Sequence, residues 1–244
     1  MQSGMQIGDF IASSANAKTV EDLFGVLKNA LTAQGLDRVI FSLMTDHPTT
    51  GRRAGHGIIS NYPQEWIKFY LENWYHVIDP VRHHIFQADG AFAWNSLTRR
   101  YKLTKAQEQC LKLAVEAGLR DGIGIPLRGP RGALAGIGVA SSAGGVDLTR
   151  ETLDTAQMYA QQFYSCYLAL ERKPEKCEVI SLSSQEREVL KWCAAGKTKQ
   201  ETGMIIGISE NAVKLYLRKA QNKLGAPTAT TAAFQAILLG FIQL

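Results

Sequence analysis

Residues 181–242 read SLSSQEREVLKWCAAGKTKQETGMIIGISENAVKLYLRKAQNKLGAPTATTAAFQAILLGFI, which divides into four short amphipathic helices, each behind its own start signal. Ser183 with Glu186 has the spacing of a capping box, in which hydroxyl and carboxylate satisfy each other's backbone N–H groups at a helix start. The helix it opens turns Val189, Leu190, Trp192 and Cys193 inward. Thr198 with Glu201 repeats the box soon after Gly196, so a second helix runs to Gly207 and, following so closely, cannot lie parallel to the first. Ser209 is an N-cap for a third helix, Glu210 to Leu224, stopped by Gly225 with Pro227 just beyond. Ala212, Val213, Leu217, Ala220 and Leu224 form its buried stripe, and Lys214, Arg218 and Lys219 fall away from that stripe. Lys214 and Arg218, four residues apart, share one face. A helix about 10–12 Å wide fits the major groove of DNA, where Arg and Lys donate to guanine O6 and N7. An ordinary solvated helix face has the same pattern. Charge favours the DNA reading: from Ile180 onward eight Lys and Arg stand against four acids, so +4 of the chain's +5 lies in this tail, the local excess that phosphate binding requires.

Thr228 caps the fourth helix, whose Ala232, Ala233, Ala236, Leu239 and Ile242 make a small-residue apolar face. That face either closes the domain or meets a second copy of the chain, and spacing alone leaves both open.

In its REVLKW, GKTKQE and ISENAVKLYL segments, taken in that order, the tail resembles the four-helix helix-turn-helix of LuxR-type transcription regulators. Glu186, Leu190 and Gly196 stand at that family's most characteristic positions. Two departures occur. Thr202-Gly203 replaces the usual Ile-Ala and puts a glycine in the scaffold helix; Ala212 replaces the usual Thr and removes a hydroxyl that reaches backbone phosphate. The resemblance implies binding to double-stranded DNA at an inverted-repeat operator, with Thr198, Lys199, Asn211, Lys214, Arg218 and Lys219 facing the duplex. It also implies a homodimer whose half-sites are spaced by the helical repeat, with RNA polymerase as a further partner.

At 244 residues the chain has room for two domains, and 45% hydrophobic residues suffice for a core in the part ahead of the tail. The run ERKPEKCEVIS, charged and broken by Pro174, reads as a linker, which divides the chain into residues 1–170, a linker at 171–180 and a DNA-binding domain at 181–244. The first residues carry neither a basic start nor a long apolar run, and the longest apolar stretch, Ala232 to Leu244, is too short to span a bilayer. A cytoplasmic protein without a membrane partner is the expectation. Cys110, Cys166, Cys177 and Cys193 are scattered without C-x-x-C spacing, which argues against a disulfide framework or a zinc site.

Ahead of the linker, helix and strand patterns alternate without repeats. Val20 to Leu31, Pro63 to Trp74, Pro80 to Gln87, Lys105 to Ala117 (behind a Thr104–Gln107 capping pair) and Leu148 to about Leu170 read as helices. Arg38 to Met44, Gly55 to Ser60, Gly122 to Leu127 and Ala133 to Ser141 read as strands. The fold class is therefore α/β plus all-α: an N-terminal α-β-α sandwich followed by the helical tail. Gly122, Gly124, Gly132, Gly136 and Gly138 match no nucleotide fingerprint, since no helix start follows GIGIPLRG and no G-x-x-x-x-G-K-[ST] occurs. Small residues along strands leave space on one face of a sheet, here for a ligand.

The candidate site lies in residues 60–94. Tyr62, Trp66 and Tyr70 recur at i, i+4 and i+8, one side of a helix that starts at Pro63. A core aromatic stripe has the same spacing. Asp79 precedes Pro80 in apolar surroundings, so its carboxylate either caps a helix or meets a buried partner. The residues alone leave these accounts side by side.

The Y-P-x-x-W-x-x-x-Y and Y-x-x-I-D-P segments, with Trp94 and Gly122 after them, resemble the autoinducer-binding domain of the same family, so the likeness covers nearly the whole chain. That resemblance implies an N-acyl homoserine lactone ligand. Trp66 would donate its indole N–H to the lactone carbonyl, Asp79 accept the amide N–H and Tyr62 donate to the acyl carbonyl, with Tyr70 and Trp94 walling the pocket. A ligand that binds only the folded state adds stability by mass action, a natural switch. The family's hydroxyl residue on the last central strand falls at Gly138, which removes one hydrogen bond and is expected to lengthen the cavity.

Chemistry beyond binding finds no support in the residues. His83 and His84 are adjacent and point about 100° apart on a helix, and His47, His56 and His76 have no Cys or paired carboxylate at ligand spacing. No G-x-S-x-G elbow is present. No catalytic residue, metal or cofactor is expected. The competing readings are a regulator of this architecture that senses another small molecule or none, and an acyl-lactone-processing enzyme with a DNA-binding tail.

Overall fold

A computed structural model describes residues 5–172 and 180–243, and the chain divides into two units, 1–173 and 174–244. The linker expected at 171–180 begins inside a helix at Glu171; its residues 173–179, Cys177 among them, lie outside the described residues.

The first unit contains α1 (Ile7–Asn16), α2 (Val20–Thr32), β1 (Arg38–Leu43), β2 (Gly55–Ser60), α3 (Gln64–Glu72), α4 (Tyr75–Ile78), α5 (Pro80–Ile85), β3 (Phe92–Ala93), α6 (Leu97–Arg100), α7 (Lys105–Glu116), β4 (Arg120–Arg128), β5 (Leu134–Ser141) and α8 (Arg150–Glu171). The strands form one sheet in the order β2-β1-β5-β4-β3, with antiparallel neighbours throughout. Side chains alternate across a strand, and here both faces are covered. Val39, Phe41 and Leu43 of β1, Ile123, Ile125 and Leu127 of β4, and Ala135, Ile137 and Val139 of β5 pack against α1, α2 and α8 through Phe10, Leu23, Leu27, Phe163 and Tyr167. Phe41 is the pivot of that layer, with its ring 5.2 Å from Phe163 and 4.7 Å from Tyr167, both edge to face. The intervening residues of the same strands, Ile40 and Ala140 among them, face α3 to α7. This is the α-β-α sandwich.

Three helices and a strand have no counterpart in the sequence reading: α1, the single turns α4 and α6, and the two-residue β3. Pro63 is the N-cap of α3 and not its first residue, and α5 ends at Ile85. The Thr104–Gln107 box is present with both its bonds.

The second unit contains α9 (Ser184–Ala194), α10 (Lys199–Ile206), α11 (Glu210–Leu224) and α12 (Ala229–Leu238). Both capping boxes form, Ser183 with Glu186 and Thr198 with Glu201. Gly207, at φ 73°, takes the left-handed conformation that ends α10 and turns the chain into α11. Gly203 has a packing reason: a Cβ there would lie 2.6 Å from the carbonyl oxygen of Ile208, so the turn closes over a bare backbone. Leu182, Val189, Leu190, Val213, Leu217, Ala220 and Leu224 form the core. Trp192 and Cys193 are only half-buried, and the Trp192 indole N–H donates to Glu188 at 2.9 Å.

Glu186 links three parts of this unit. Only 3% exposed, it accepts the Ser183 backbone N–H at 2.7 Å and pairs with Lys223 of α11 at 2.8 Å. Burial pushes its carboxyl pKa up, but the Lys223 and Ser183 hydrogen bonds outweigh that and hold it below the usual carboxylate range. Of the two uses left open for the apolar face of the fourth helix, the structure shows closure of the domain: Ala232, Ala233 and Ala236 of α12, with Ile242 beyond its end, are buried in the unit's own core, where α12 packs against α9 and α11. The outward residues of α12 are Phe234, 60% exposed, and Leu238.

Candidate ligand pocket and nucleic-acid surface

Tyr62, Trp66 and Tyr70 follow the helical spacing of α3 and are 8%, 8% and 3% exposed, packed with Ile40, Cys110, Ala114 and Leu119. After α3 the chain reverses at Trp74, whose φ of 58° is left-handed, and the turn of α4 carries Asp79 back beside the helix it left. There Asp79 does both things the sequence allowed. One carboxylate oxygen accepts the Val81 backbone N–H at 2.8 Å and caps α5; the other accepts the Tyr70 hydroxyl at 2.7 Å. Burial pushes the Asp79 pKa up against these bonds and the nearby Arg82 charge. Burial also pushes the Tyr70 phenol well up, with the Asp79 charge adding to it.

These residues form one wall of a cavity of about 60 Å³ that is partly open to solvent. The sheet is its floor. The β1–β5 register sets Ile40 opposite Gly138 and Ser42 opposite Gly136. At the Gly138 end stand Tyr62 and Trp94; at the Gly136 end stand Met44 and Ile85. All five residues that the resemblance assigned to ligand binding, Tyr62, Trp66, Tyr70, Asp79 and Trp94, line this one cavity. Two of them carry buried polar atoms without a hydrogen-bond partner, the Tyr62 hydroxyl and the Trp94 indole N–H. Trp94 therefore brings a free donor as well as a wall.

The glycines serve a different purpose from the one expected. A Cβ on Gly122 would strike the Trp94 indole, and one on Gly124 the Phe92 ring, so the bare stretch of β4 admits the protein's own aromatic rings. Over Gly138 the space is likewise taken: a Cβ there would lie 2.9 Å from the Tyr62 hydroxyl and 3.0 Å from Ile40. The missing hydroxyl residue does not lengthen the cavity, because Tyr62 fills the place.

Among the lining residues that escaped the sequence reading, four are polar: Ser42, His56, Arg82 and Cys110. His56 is the least legible of these. The β1–β2 register shifts between Phe41 and Leu43, Gly57 takes φ 65°, and its N–H reaches the Ser42 hydroxyl at 3.0 Å, so simple alternation along β2 does not say which way His56 points. Its ring stacks on Tyr70 at 4.6 Å, and burial, then Arg82 and His76, depress its pKa to about 4. It is neutral at neutral pH.

On the second unit, Thr198 caps α10, and it and Lys199, Asn211, Lys214, Arg218 and Lys219 are all exposed. The cations are not equivalent. Lys214 pairs with Glu210 at 2.6 Å, and the Lys219 ammonium sits 5.8 Å from the Tyr216 ring centroid. Arg218 has neither kind of partner among the described residues. No helix among the described residues is long and apolar enough to cross a membrane.

A buried cavity with a carboxylate and free donors on one unit, and a cationic helix after a tight turn on the other, define a ligand-sensing DNA-binding protein. Residues 19–167 match the family described as the autoinducer binding domain, and residues 180–236 match that of bacterial regulatory proteins, luxR family. The chain belongs to the luxR family of autoinducer-binding transcription regulators. It is 32% identical over 203 residues to the putative HTH-type transcriptional regulator y4qH of Sinorhizobium fredii, covering 83% of this chain and 62% of that protein. It is 28% identical over 227 residues to the regulatory protein SdiA of Escherichia coli, covering 92% of each. The crystal structure of Escherichia coli SdiA shares the fold with a TM-score of 0.64 at 24% identity, covering 96% of both chains. A structure of SdiA in complex with octanoyl-rac-glycerol gives the same TM-score.

Proposed function

We propose that this protein binds an N-acyl homoserine lactone in the first unit and, as a homodimer, an inverted-repeat operator through α11, and that the ligand regulates transcription in quorum sensing. Residues 1–170 are the sensor and 181–244 the DNA reader. The observation that carries the ligand reading is the pairing of Asp79 with a buried, unpartnered Tyr62 hydroxyl in one cavity. A lactone amide has one donor and several acceptors. Asp79 takes the amide N–H on a remaining lone pair, Tyr62 donates to the acyl carbonyl and Trp66 donates to the lactone carbonyl. Each carboxylate oxygen has two lone pairs, so its bonds to Val81 and Tyr70 leave that capacity free. Ligand bound at 100 times its Kd stabilises the folded state by about 2.7 kcal/mol, which couples the signal to the amount of competent regulator.

The DNA reading rests on Arg218, whose guanidinium is exposed, without an ion pair and on the outer face of the helix that follows the turn. A second ligand reading, an acylglycerol, draws on the structure of the relative SdiA with octanoyl-rac-glycerol. The test is a mass spectrum of the organic extract from protein expressed with a mixture of acyl homoserine lactones, beside protein expressed without them. One retained lactone is the expected result. Soluble, folded protein that retains none overturns the lactone reading.

A further inference from the structure

The outward face of α11 is not uniformly cationic. Val213, Leu217, Ala220 and Leu224 form its buried stripe. At about 100° per residue, Lys214 stands about 90° from the centre of that stripe, Arg218 and Lys219 about 130° to either side of it, Asn211 about 150° and Leu215 about 170°. The crest of the helix, the line farthest from the core of its unit, is therefore held by a leucine. Leu215 is 51% exposed, in the middle of a face whose other members, Asn211, Arg218, Lys219 and Asn222, are exposed as well. Both lysines are engaged within the helix, Lys214 with Glu210 at 2.6 Å and Lys219 over the Tyr216 ring. Lys214 in particular lies on the flank, the side that the phosphates along the edge of a groove would meet.

A leucine at the crest has nothing to offer a phosphate. Base edges in the major groove are lined with hydrogen-bonding groups, and the apolar group among them is the 5-methyl of thymine. We infer that Leu215 determines part of the operator sequence by packing on a thymine methyl in each half-site, between the bases that Asn211 and Arg218 read. This rests on the DNA reading of α11 proposed above. Arg218 lies three residues on, about 4.5 Å along the helix axis, somewhat more than the spacing of about 3.4 Å between neighbouring bases. The guanine it contacts is then within two base pairs of the thymine. Asn211, one turn earlier, carries the amide that pairs with adenine N6 and N7. Lys214, on the flank, contributes charge and not base choice.

The test selects binding sites from a random duplex library with the full-length protein, expressed with the mixture of acyl homoserine lactones. Each thymine of the selected duplex is then replaced in turn by deoxyuridine, which pairs identically and lacks only the methyl. The expected result is an enriched thymine within two base pairs of an enriched guanine in each half-site, where deoxyuridine weakens binding about fourfold, the worth of one buried methyl or methylene group. Leu215→Ala should bind the thymine and deoxyuridine duplexes equally, with the salt dependence of binding unchanged, because no phosphate contact is lost. Arg218→Ala should keep the thymine preference and lose that for guanine. Alanine at an exposed helix position is compatible with folding, and the unchanged salt dependence shows that the variant still docks. Absence of any methyl-sensitive thymine, or equal methyl sensitivity in wild type and Leu215→Ala, overturns the inference and leaves the DNA reading intact. A selection that enriches no sequence overturns the DNA reading and this inference with it.

Discussion

Asp79 does two structural jobs and one proposed binding job, and two substitutions separate them. Asp79→Ala removes the cap of α5, worth about 0.5–2 kcal/mol, and orphans the buried Tyr70 hydroxyl, which costs about 1–3 kcal/mol. Because burial raises the Asp79 pKa, the carboxylate itself is held at a cost, and its removal returns part of that sum. A net loss of about 1–4 kcal/mol follows. Asp79→Asn keeps a side-chain oxygen in place, and Asn caps helices as well as Asp does, so its stability stays within about 1 kcal/mol of wild type. Its amide, however, presents a donor where the ligand's N–H needs an acceptor. Losing a hydrogen bond to a charged group costs about 1.5–3 kcal/mol, roughly 10- to 150-fold in Kd. Urea unfolding of the ligand-free full chain measures the first effect and lactone titration the second. Equal stability of the Ala and Asn variants would refute the cap and Tyr70 anchor. Unchanged lactone affinity in a folded Asp79→Asn protein would refute the carboxylate as the amide acceptor.

Three further outcomes are expected. Glu186→Ala should destabilise the second unit by about 1–3 kcal/mol, from the lost capping box and Lys223 pair, the half-exposed Lys223 regaining water; Glu186→Gln keeps the box and should lose less, and identical urea midpoints for wild type and Glu186→Ala would contradict the reasoning. His56, with its pKa depressed to about 4 in the fold, takes up a proton more readily when unfolded, so stability should fall as pH drops from the ordinary histidine value toward 4, by on the order of 3 kcal/mol; a His56→Phe variant that keeps the whole wild-type slope over that window would assign it to other groups. Arg218→Ala should weaken specific operator binding by about 1–3 kcal/mol and leave ligand binding unchanged; equal affinity in a titration at fixed salt would exclude Arg218 from the interface.

The helical tail was the most legible part of the chain because its signals are local. Capping boxes at Ser183 and Thr198, and glycines at the left-handed ends of α10 and α11, are contacts within three or four residues, and all formed as read. The sandwich was legible for a related reason, since the longer helices repeat with their own period and β1, β4 and β5, covered on both faces, stand out as short, largely apolar runs. Short elements such as α4 and β3 carry too few residues for either pattern to register. The α12 stripe shows the limit of periodicity: it states that a face is apolar, and packing against α9 and α11 decides what covers it.

The sequence by itself determined the two-unit organisation, the aromatic stripe of α3 and the basic face of α11, because each depends on neighbours along the chain, and it left Asp79 between a cap and a buried partner. Only the tertiary structure decided what faces the cavity from elsewhere. A left-handed turn at Trp74 brings Asp79 onto Tyr70, a register shift beside Gly57 accompanies His56 into the lining, and α5 carries Arg82 into the same lining. Those side chains come from separate elements and meet through backbone geometry and packing across the sheet, and neither is written in the spacing of any one segment.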